Sequence, residues 1–382
     1  MKCNLESICD YRQGRVKVSE LNHRNYISTE NMLPNKSGIT TASSLPSIES
    51  TQKFKQGDIL VSNIRPYFKK IWKAKFDGGC SNDVLVFTAK EGIDQDFLYY
   101  VLSDDSFFGY VMATSKGTKM PRGDKKTIMK YQVPLFKIEK QEKIASILCK
   151  IDARIELNKE INNNLEELAQ VYFNKLFIAN PKTEWSKGSL SDLGTIVGGG
   201  TPSKQHLEYY MKDGIPWITP KDLSKDNSKF IIRGEKDISE VGFKNSSAVK
   251  IPRGSILFSS RAPIGYIAIA ANEVTTSQGF KSVVPKKNAS TAYIYYFLKH
   301  NLPVIESLAS GSTFKEISGT GMKSVPTYIP DEATMLKFSD FCAPIFNKQE
   351  ILEAENKKLT VIRDSLLPKL LSGEHNLKHI AF

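Results

Sequence analysis

Between Gln141 and Phe177 the chain reads QEKIASILCKIDARIELNKEINNNLEELAQVYFNKLF, with apolar side chains at Ile144, Ile147, Leu148, Ile151, Ile155, Leu165, Leu168, Tyr172 and Leu176. That spacing, free of Pro and Gly, predicts one long amphipathic helix. At 1.5 Å per residue it would run ~55 Å, more than a small domain needs to close its core, so its stripe asks for a helical partner. Residues from Leu336 to Leu371 supply one: Phe338, Phe341, Ile345, Leu352, Leu359, Ile362, Leu366 and Leu370 repeat the spacing, and Lys175-Leu176 is echoed by Lys369-Leu370. Pro344 inside the second stretch predicts a break or kink. Asn162 and Asn356 hold equivalent places on the two stripes. Antiparallel pairing about a pseudo-twofold axis would set these amides face to face and fix the register, unless both point to solvent. Helix pairing is thus expected to use Ile144, Ile151, Ile155, Asn162 and Leu165 from one stretch, with Phe341, Leu352, Asn356, Leu359 and Leu366 from the other.

The segments before each helix are written twice. LESICDYRQG at Leu5–Gly14 matches LSDLGTIVGG at Leu190–Gly199, and NYISTENM at Asn25–Met32 matches PWITPKDL at Pro216–Leu223. FKQGDILVSNIRP at Phe54–Pro66 then matches IPRGSILFSSRAP at Ile251–Pro263, and FLYYVL at Phe97–Leu102 matches YIYYFL at Tyr293–Leu298. Four blocks in one order make an internal repeat. The blocks at Asp58–Ser62 and Ser255–Ser259 read as strands after a Gly turn, while Asp96–Leu102 and Thr291–Lys299 read as short helices. The expected fold is α+β: two pseudo-repeated mixed α/β domains, residues 1–140 and 184–330, joined by two long antiparallel coiled-coil helices, residues 141–183 and 331–382.

Composition changes this picture little, charge more. A chain of 382 residues with 40% hydrophobic and 25% charged positions is long enough for two or three globular domains. Its polar, acidic start and the lack of any run of about eighteen apolar residues give a cytoplasmic expectation. Five scattered cysteines without a C-x-x-C pair read as reduced thiols. The net charge of +12 divides into +7 over residues 1–140, 0 over 141–183, +6 over 184–330 and −1 over 331–382. Two separate basic bodies suggest two contacts with a polyanion, nucleic acid first and anionic membrane second.

The catalytic motifs fail one by one. Gly198-Gly199-Gly200-Thr201-Pro202-Ser203-Lys204 is no phosphate loop, because no Gly precedes Lys204 directly and no Ser or Thr follows it. Neither a dinucleotide fingerprint nor a [DNS]-P-P-[YFW] methyltransferase tetrapeptide is present. His23, His206 and His300 stand alone; His375 and His379, four apart, lack a third ligand. Asp104 and Asp105, ahead of Asp124-Lys125-Lys126, resemble the weak metal-nuclease pattern, but the second copy carries nothing equivalent. A metal-dependent nuclease and a coiled-coil scaffold without nucleic-acid function stay open as alternatives.

Binding residues are better supplied. Arg65, Lys69, Lys70, Lys73 and Lys75 cluster with Tyr67, Phe68 and Trp72, and Lys116, Lys119, Arg122, Lys125 and Lys126 form a second group. In the second copy Thr201, Ser203, Lys204, Lys221, Arg261, Ser277, Gln278, Lys281, Ser312, Thr313 and Lys315 occupy polar, loop-like places. Such mixtures grip phosphates and read base edges, Gln suiting adenine and Arg guanine.

These residues together resemble one family. GGGTPSKQHLEYYMKDGIPWITPKDL at Gly198–Leu223, GSILFSSRAPIG at Gly254–Gly265 and TSQGFKSVVP at Thr276–Pro285 look like the target-recognition domains of the specificity subunits of Type I restriction-modification enzymes. GTKMPRGDKK at Gly117–Lys126, leading into VPLFKIEKQEKIASILCKIDARI at Val133–Ile155, looks like the end of such a domain entering the family's spacer helix. The resemblance implies two target-recognition domains, each reading half of a bipartite, asymmetric site in double-stranded DNA. It implies helices that set the gap between half-sites and dock two methyltransferase subunits, joined in turn by restriction/translocase subunits. It also implies a chain that is non-catalytic alone and binds no cofactor, S-adenosylmethionine, ATP and Mg²⁺ belonging to the partner subunits. Two departures stand out: the first copy has Gly14-Arg15-Val16-Lys17 where the family has G-G-T-P-S, and the second helix lacks the Q-x-x-I start of Gln141–Ile144.

Overall fold

Glycine turns launch the central strand of each copy. Gly57 and Gly254 take φ of +90° and +83°, and the apolar runs behind them become strands Ile59–Ser62 and Ile256–Ser260, buried along their whole length. A computed structural model describes residues 2–226, 228–261, 263–311 and 315–373, and the chain divides into two units, residues 1–155 with 358–382 and residues 156–357. Each unit carries one copy of the repeat.

The repeat holds in the sheet topology. In the first unit the strand order is Cys9–Tyr11, Val84–Ala89, Ile59–Ser62, Ile71–Lys73, all antiparallel. In the second it is Gly194–Gly198, Lys281–Pro285, Ile256–Ser260, Ile264–Ala270, again antiparallel, with Phe230–Ile231 added in parallel at the edge. A second sheet in each unit holds a short parallel pair of matching register: Tyr26 and Ile27 lie opposite Gly79 and Cys80, and Trp217 and Ile218 opposite Thr275 and Thr276. A two-stranded pair closes each copy, Lys2–Asn4 on Gln132–Pro134 and Ser186–Ser189 on Pro326–Ile329.

The two long stretches are helices, Ile138–Phe173, extended by a π-turn over Asn174–Ile178, and Glu332–Ser372. The second runs through Pro344 without the expected break; Pro344 is exposed, so its missing N–H falls on the solvent side, where a helix tolerates it best. Gln141 is buried, accepting from the Asp94 N–H (3.0 Å) and donating to the Phe136 carbonyl (2.9 Å). Met335 stands in its place in the second copy, beside the Ser290 hydroxyl that caps helix Thr291–His300. The Q-x-x-I signature is therefore one of two ways to tie a long helix to the short one before it.

Within each unit the helices run antiparallel. In the first unit, Ile144 and Leu148 pack in one core with Leu367 and Leu370, with Leu366 partly buried against it, and Asp152 accepts from Arg363 Nη1 (2.8 Å) and Tyr100 OH (2.7 Å). In the second, Phe173 and Phe177 pack on Phe338, Tyr172 lies 4.3 Å from Phe341, and Gln349 Nε2 donates to the Asn162 carbonyl (3.1 Å). Ile151, Ile155 and Leu352 are buried, Leu165 is partly buried against the core, and Leu359 is half-buried. Leu168 and Ile362, read as part of the stripes, are exposed.

Asn162 does not face Asn356. Asn158, one turn earlier and fully buried, donates from Nδ2 to Asn356 Oδ1 at 2.9 Å, while the Asn162 side-chain oxygen is enclosed without a hydrogen-bond partner. Equal offset along two repeats did not reveal which turn of the helix would meet its mate. Replacing Asn158 and Asn356 together by Leu is expected to raise the thermal midpoint and relax the register. Asn158→Leu alone, which sets an apolar side chain against the Asn356 amide, is expected to cost about 1–3 kcal/mol. Calorimetry of the three chains checks this; equal midpoints would count against the amide pair.

A charged knot fastens the second unit. Lys229 Nζ, almost fully buried, donates to Glu166 Oε2 (2.7 Å), Gln349 Oε1 (2.9 Å) and Tyr296 OH (3.1 Å), and lies 3.6 Å from the ring centroid of Phe346. Glu353 accepts from the N–H groups of Lys229 (2.8 Å) and Phe230 (3.0 Å). Burial pushes the Glu166 carboxyl up, yet the Lys229 ammonium and hydrogen bonds from Lys229 and Lys299 outweigh it and hold it down at about 2. The unfolded chain, where Glu titrates at about 4.3, takes up that proton first, so this contribution is complete above that value and lost as pH falls towards 2. Urea unfolding across that acid range is expected to show a steeper loss of stability in the wild type than in Glu166→Gln.

Candidate nucleic-acid interface

The two basic groups of the first copy, far apart in sequence, meet through the backbone. Arg65 N–H donates to the Pro121 carbonyl (2.9 Å), Lys116 and Arg122 exchange both their main-chain bonds (2.9 and 3.0 Å), and Gly123 N–H donates to Asn63 O (3.2 Å). The loop after strand Ile59–Ser62 is thereby sewn to the loop of residues 116–123, and Arg65, with φ of +50°, is turned outward into solvent. Lys116, Lys119, Arg122, Lys125 and Lys126 are exposed, as are Tyr67 and Phe68, whose rings lie 4.7 Å apart. Trp72 is core instead.

The cations differ in freedom. Lys69 and Lys36 share the Asp105 carboxylate (2.7 and 3.0 Å), Lys70 donates to Thr29 O (2.6 Å), and Arg122 pairs with Asp83 (2.8 Å). Lys73 stands apart from the loops, its ammonium paired with Asp96 at the start of helix Gln95–Ser103. Lys75 is exposed.

The carboxylates that a nuclease would need are engaged elsewhere. Asp104 caps helix Asp105–Ala113 through the Ser106 N–H (2.8 Å), and Asp124 caps the short helix Lys125–Ile128 through Thr127 N–H (2.9 Å). The bonds from the Thr127 N–H and hydroxyl hold the Asp124 carboxyl below the usual range. Among the described residues no group of three or more His, Cys, Asp or Glu could hold a metal ion; His375 and His379 lie outside them.

The second copy repeats the stitching. Arg261 and Glu316 bridge as Ile64 and Arg122 do, and Ser310 and Glu316 as Lys116 and Arg122 do. The glycine run packs against the turn after strand Thr275–Thr276: Gly200 N–H donates to Thr276 O (2.8 Å), and Gln278 N–H reaches Thr201 Oγ1 (3.4 Å). Thr201, Gln278, Arg261, Lys281 and Lys315 thus belong to one connected set of loops, with Ser203 and Lys204 exposed beside Thr201. Ser277 is buried beneath its turn, and Lys221 sits on Glu235 (3.5 Å) with Lys225. Ser312 and Thr313 lie outside the described residues.

Charge is inverted between the copies at these matched positions. Where the first has Arg122 held by Asp83, the second has Glu316 held by Arg261 (3.2 Å) and Lys281 (3.6 Å). The opening loops differ as well: Arg15–Lys17 is a strand paired with Ser50–Gln52, whereas residues 199–206 form no strand or helix.

Comparison with known proteins decides what this doubled frame is. The family model described as the Type I restriction modification DNA specificity domain matches the chain twice, over residues 1–167 and 182–361. The chain belongs to the specificity subunits of Type I restriction-modification enzymes. This specificity subunit is 26% identical to that of the HindI enzyme of Haemophilus influenzae, across 91% of this chain and 94% of the relative. It is 40% identical over 190 residues to that of the MjaIX enzyme of Methanocaldococcus jannaschii, across 47% of this chain and 44% of the relative. The crystal structure of the S subunit from M. genitalium has the same fold, with a TM-score of 0.60 at 17% identity over 97% of this chain and 96% of that one. The chain is a non-catalytic DNA-specificity component, and its two copies are target-recognition domains. No described helix is long and apolar enough to cross a membrane.

Two residues in these loops escape a reading by composition. Lys36, with φ of +60°, is brought to Lys69 by its N–H bond to the Lys69 carbonyl (3.0 Å). Asn82 occupies the tip of the turn that answers Gln278. The signal for it was present, since Cys80-Ser81-Asn82-Asp83 can be laid on Thr276-Ser277-Gln278-Gly279.

Proposed function

We propose that this subunit reads a bipartite, asymmetric DNA site, one half-site per target-recognition domain, through the major groove. The observation that carries the reading is the doubled frame itself: in each unit, backbone bonds gather loops from distant parts of the sequence and present exposed cations and polar tips together. Phosphate contacts by Arg65, Lys69, Lys70, Lys116, Lys119, Arg122, Lys125 and Lys126, and by Lys204, Lys221, Arg261, Lys281 and Lys315, would set affinity. Base contacts from Thr201, Ser203 and Gln278 would set sequence. Ser277 and Lys73 drop to supporting positions on this reading.

The helices would fix the gap between half-sites and dock two methyltransferase subunits, with restriction/translocase subunits joining through them. Exposed apolar side chains support docking: Leu168 and Val171 on one helix, Ile351, Val361 and Ile362 on the other. S-adenosylmethionine, ATP and Mg²⁺ would be held by those partners.

Co-expression with the cognate methyltransferase, followed by mapping of methylated adenines in host DNA, tests the proposal. A split motif with a constant gap is expected. A stable complex that leaves DNA unmethylated and unbound would defeat it, and failure to assemble would favour a scaffold. Salt supplies an independent check: Lys119→Ala with Lys125→Ala is expected to lower the slope of log K against log[salt] by about 2, with the recognised motif unchanged.

A further inference from the structure

The turn at residues 81–84 and the turn at 277–280 are one structural position used twice. Ser81 N–H donates to Ile27 O (2.9 Å) as Ser277 N–H does to Ile218 O (2.8 Å), and Val84 N–H donates to Ser81 O (2.9 Å) as Phe280 N–H does to Ser277 O (3.2 Å). Asn63 N–H donates to Asp83 O (2.8 Å) as Ser260 N–H does to Gly279 O (2.8 Å). Three matched main-chain bonds fix the correspondence, and they make Asn82 the counterpart of Gln278 in the other copy.

Both tips carry a side-chain amide, both are exposed, and neither amide has a hydrogen-bond partner among the described residues. Each lies beside an ion pair that occupies nearby charge, Asp83 with Arg122 in one unit and Glu316 with Arg261 and Lys281 in the other. Asn82 also lines a polar cavity of about 420 Å³ with Arg12, Gln13, Arg15, Gln52 and Lys125. Gln13 and Gln52 donate there to the carbonyls of Tyr11 (3.1 Å) and Arg12 (3.4 Å), and Arg15 to the Ser50 hydroxyl (2.9 Å). These bonds engage part of the polar lining, and the Asn82 amide stands among it at the exposed tip of its turn.

We infer that Asn82 and Gln278 are a matched pair of base-reading amides, each directed at an adenine in the major groove of its own half-site. The carboxamide offers one donor and one acceptor in a plane, which is the complement of adenine N6 and N7 and of no other base edge in that groove. The inference rests on the DNA-reading function proposed above, and it assigns Asn82 a specificity role that its neighbouring lysines, as phosphate ligands, do not have.

The test uses the full chain assembled with its methyltransferase, with methylated adenines mapped for the wild type, Asn82→Ala and Gln278→Ala. Asn82→Ala is expected to reduce preference at one A·T position of one half-site by about ten- to a hundred-fold, leaving the other half-site intact, and Gln278→Ala to do the reverse. Both tips are exposed, so equal thermal midpoints confirm that folding is unchanged. If both variants keep the wild-type motif at every position, the pair does not read bases and the inference is overturned while the function stands. Relaxation in both half-sites from a single substitution would also overturn it, since it would make the amides general contacts. A wild-type complex that methylates no defined motif would instead remove the function on which the inference rests.

Discussion

Lys229→Ala is expected to destabilise the unit of residues 156–357 by about 3–5 kcal/mol. The substitution leaves Glu166, three-quarters buried at its side chain, with Lys299 as its remaining cation, and leaves Gln349 Oε1 and Tyr296 OH without the donor they share. It also empties the space beside the Phe346 ring, adding a packing loss. Hydrogen exchange on the full chain should localise the loss to the helix segments around Glu166 and Gln349 and to strand Phe230–Ile231. A double substitution, Lys229→Met with Glu166→Gln, removes both charges and is expected to recover a large part of the stability. If the single and double changes cost the same, the knot contributes through shape and not through charge.

Gly199→Ala is the second change with a large expected effect. A Cβ there would press into the carbonyl oxygen of Ser277 and come within 2.5 Å of the Thr276 carbonyl oxygen, both main-chain atoms that no side-chain rotation can clear. The loop and the turn must separate, which breaks the Gly200 N–H bond to Thr276 O, so a cost of about 3 kcal/mol is expected. Thermal denaturation reads the cost. On the DNA-reading function proposed above, methylation mapping reads the consequence: the half-site of the second domain should blur while that of the first stays sharp. Gly198→Ala is the control, because a Cβ at Gly198 meets nothing within 4 Å.

The order of elements was legible because it depends on local pattern. Periodicity found both long helices, and repeated blocks found the matched strands that became Ile59–Ser62 and Ile256–Ser260. What sequence could not show was which atoms meet across long separations. Nothing in the polar stretch around Lys229 marks it for burial, because its partners sit at positions 166, 296 and 349. The register of the helices was off by one turn, Asn158 meeting Asn356, since two turns with an Asn each look alike on a stripe. Pro344 argues for a break only until its exposure on the outer face is known. At the candidate interface, clustering of basic residues along the chain grouped Arg65 with Lys73, whereas backbone bonds group Arg65 with Pro121 and leave Lys73 beside Asp96.

The turns that carry Asn82 and Gln278 are held from behind by main-chain bonds, with no demand on the identity of the tip. Heritable change is therefore cheap at these positions: a single codon can alter what a tip presents while the frame folds as before. A neighbouring matched position already differs in charge between the two copies, Arg122 in one and Glu316 in the other. On the base-reading role inferred above, a lineage bearing this fold would drift from one DNA address to another by small steps, each passing through a folded intermediate.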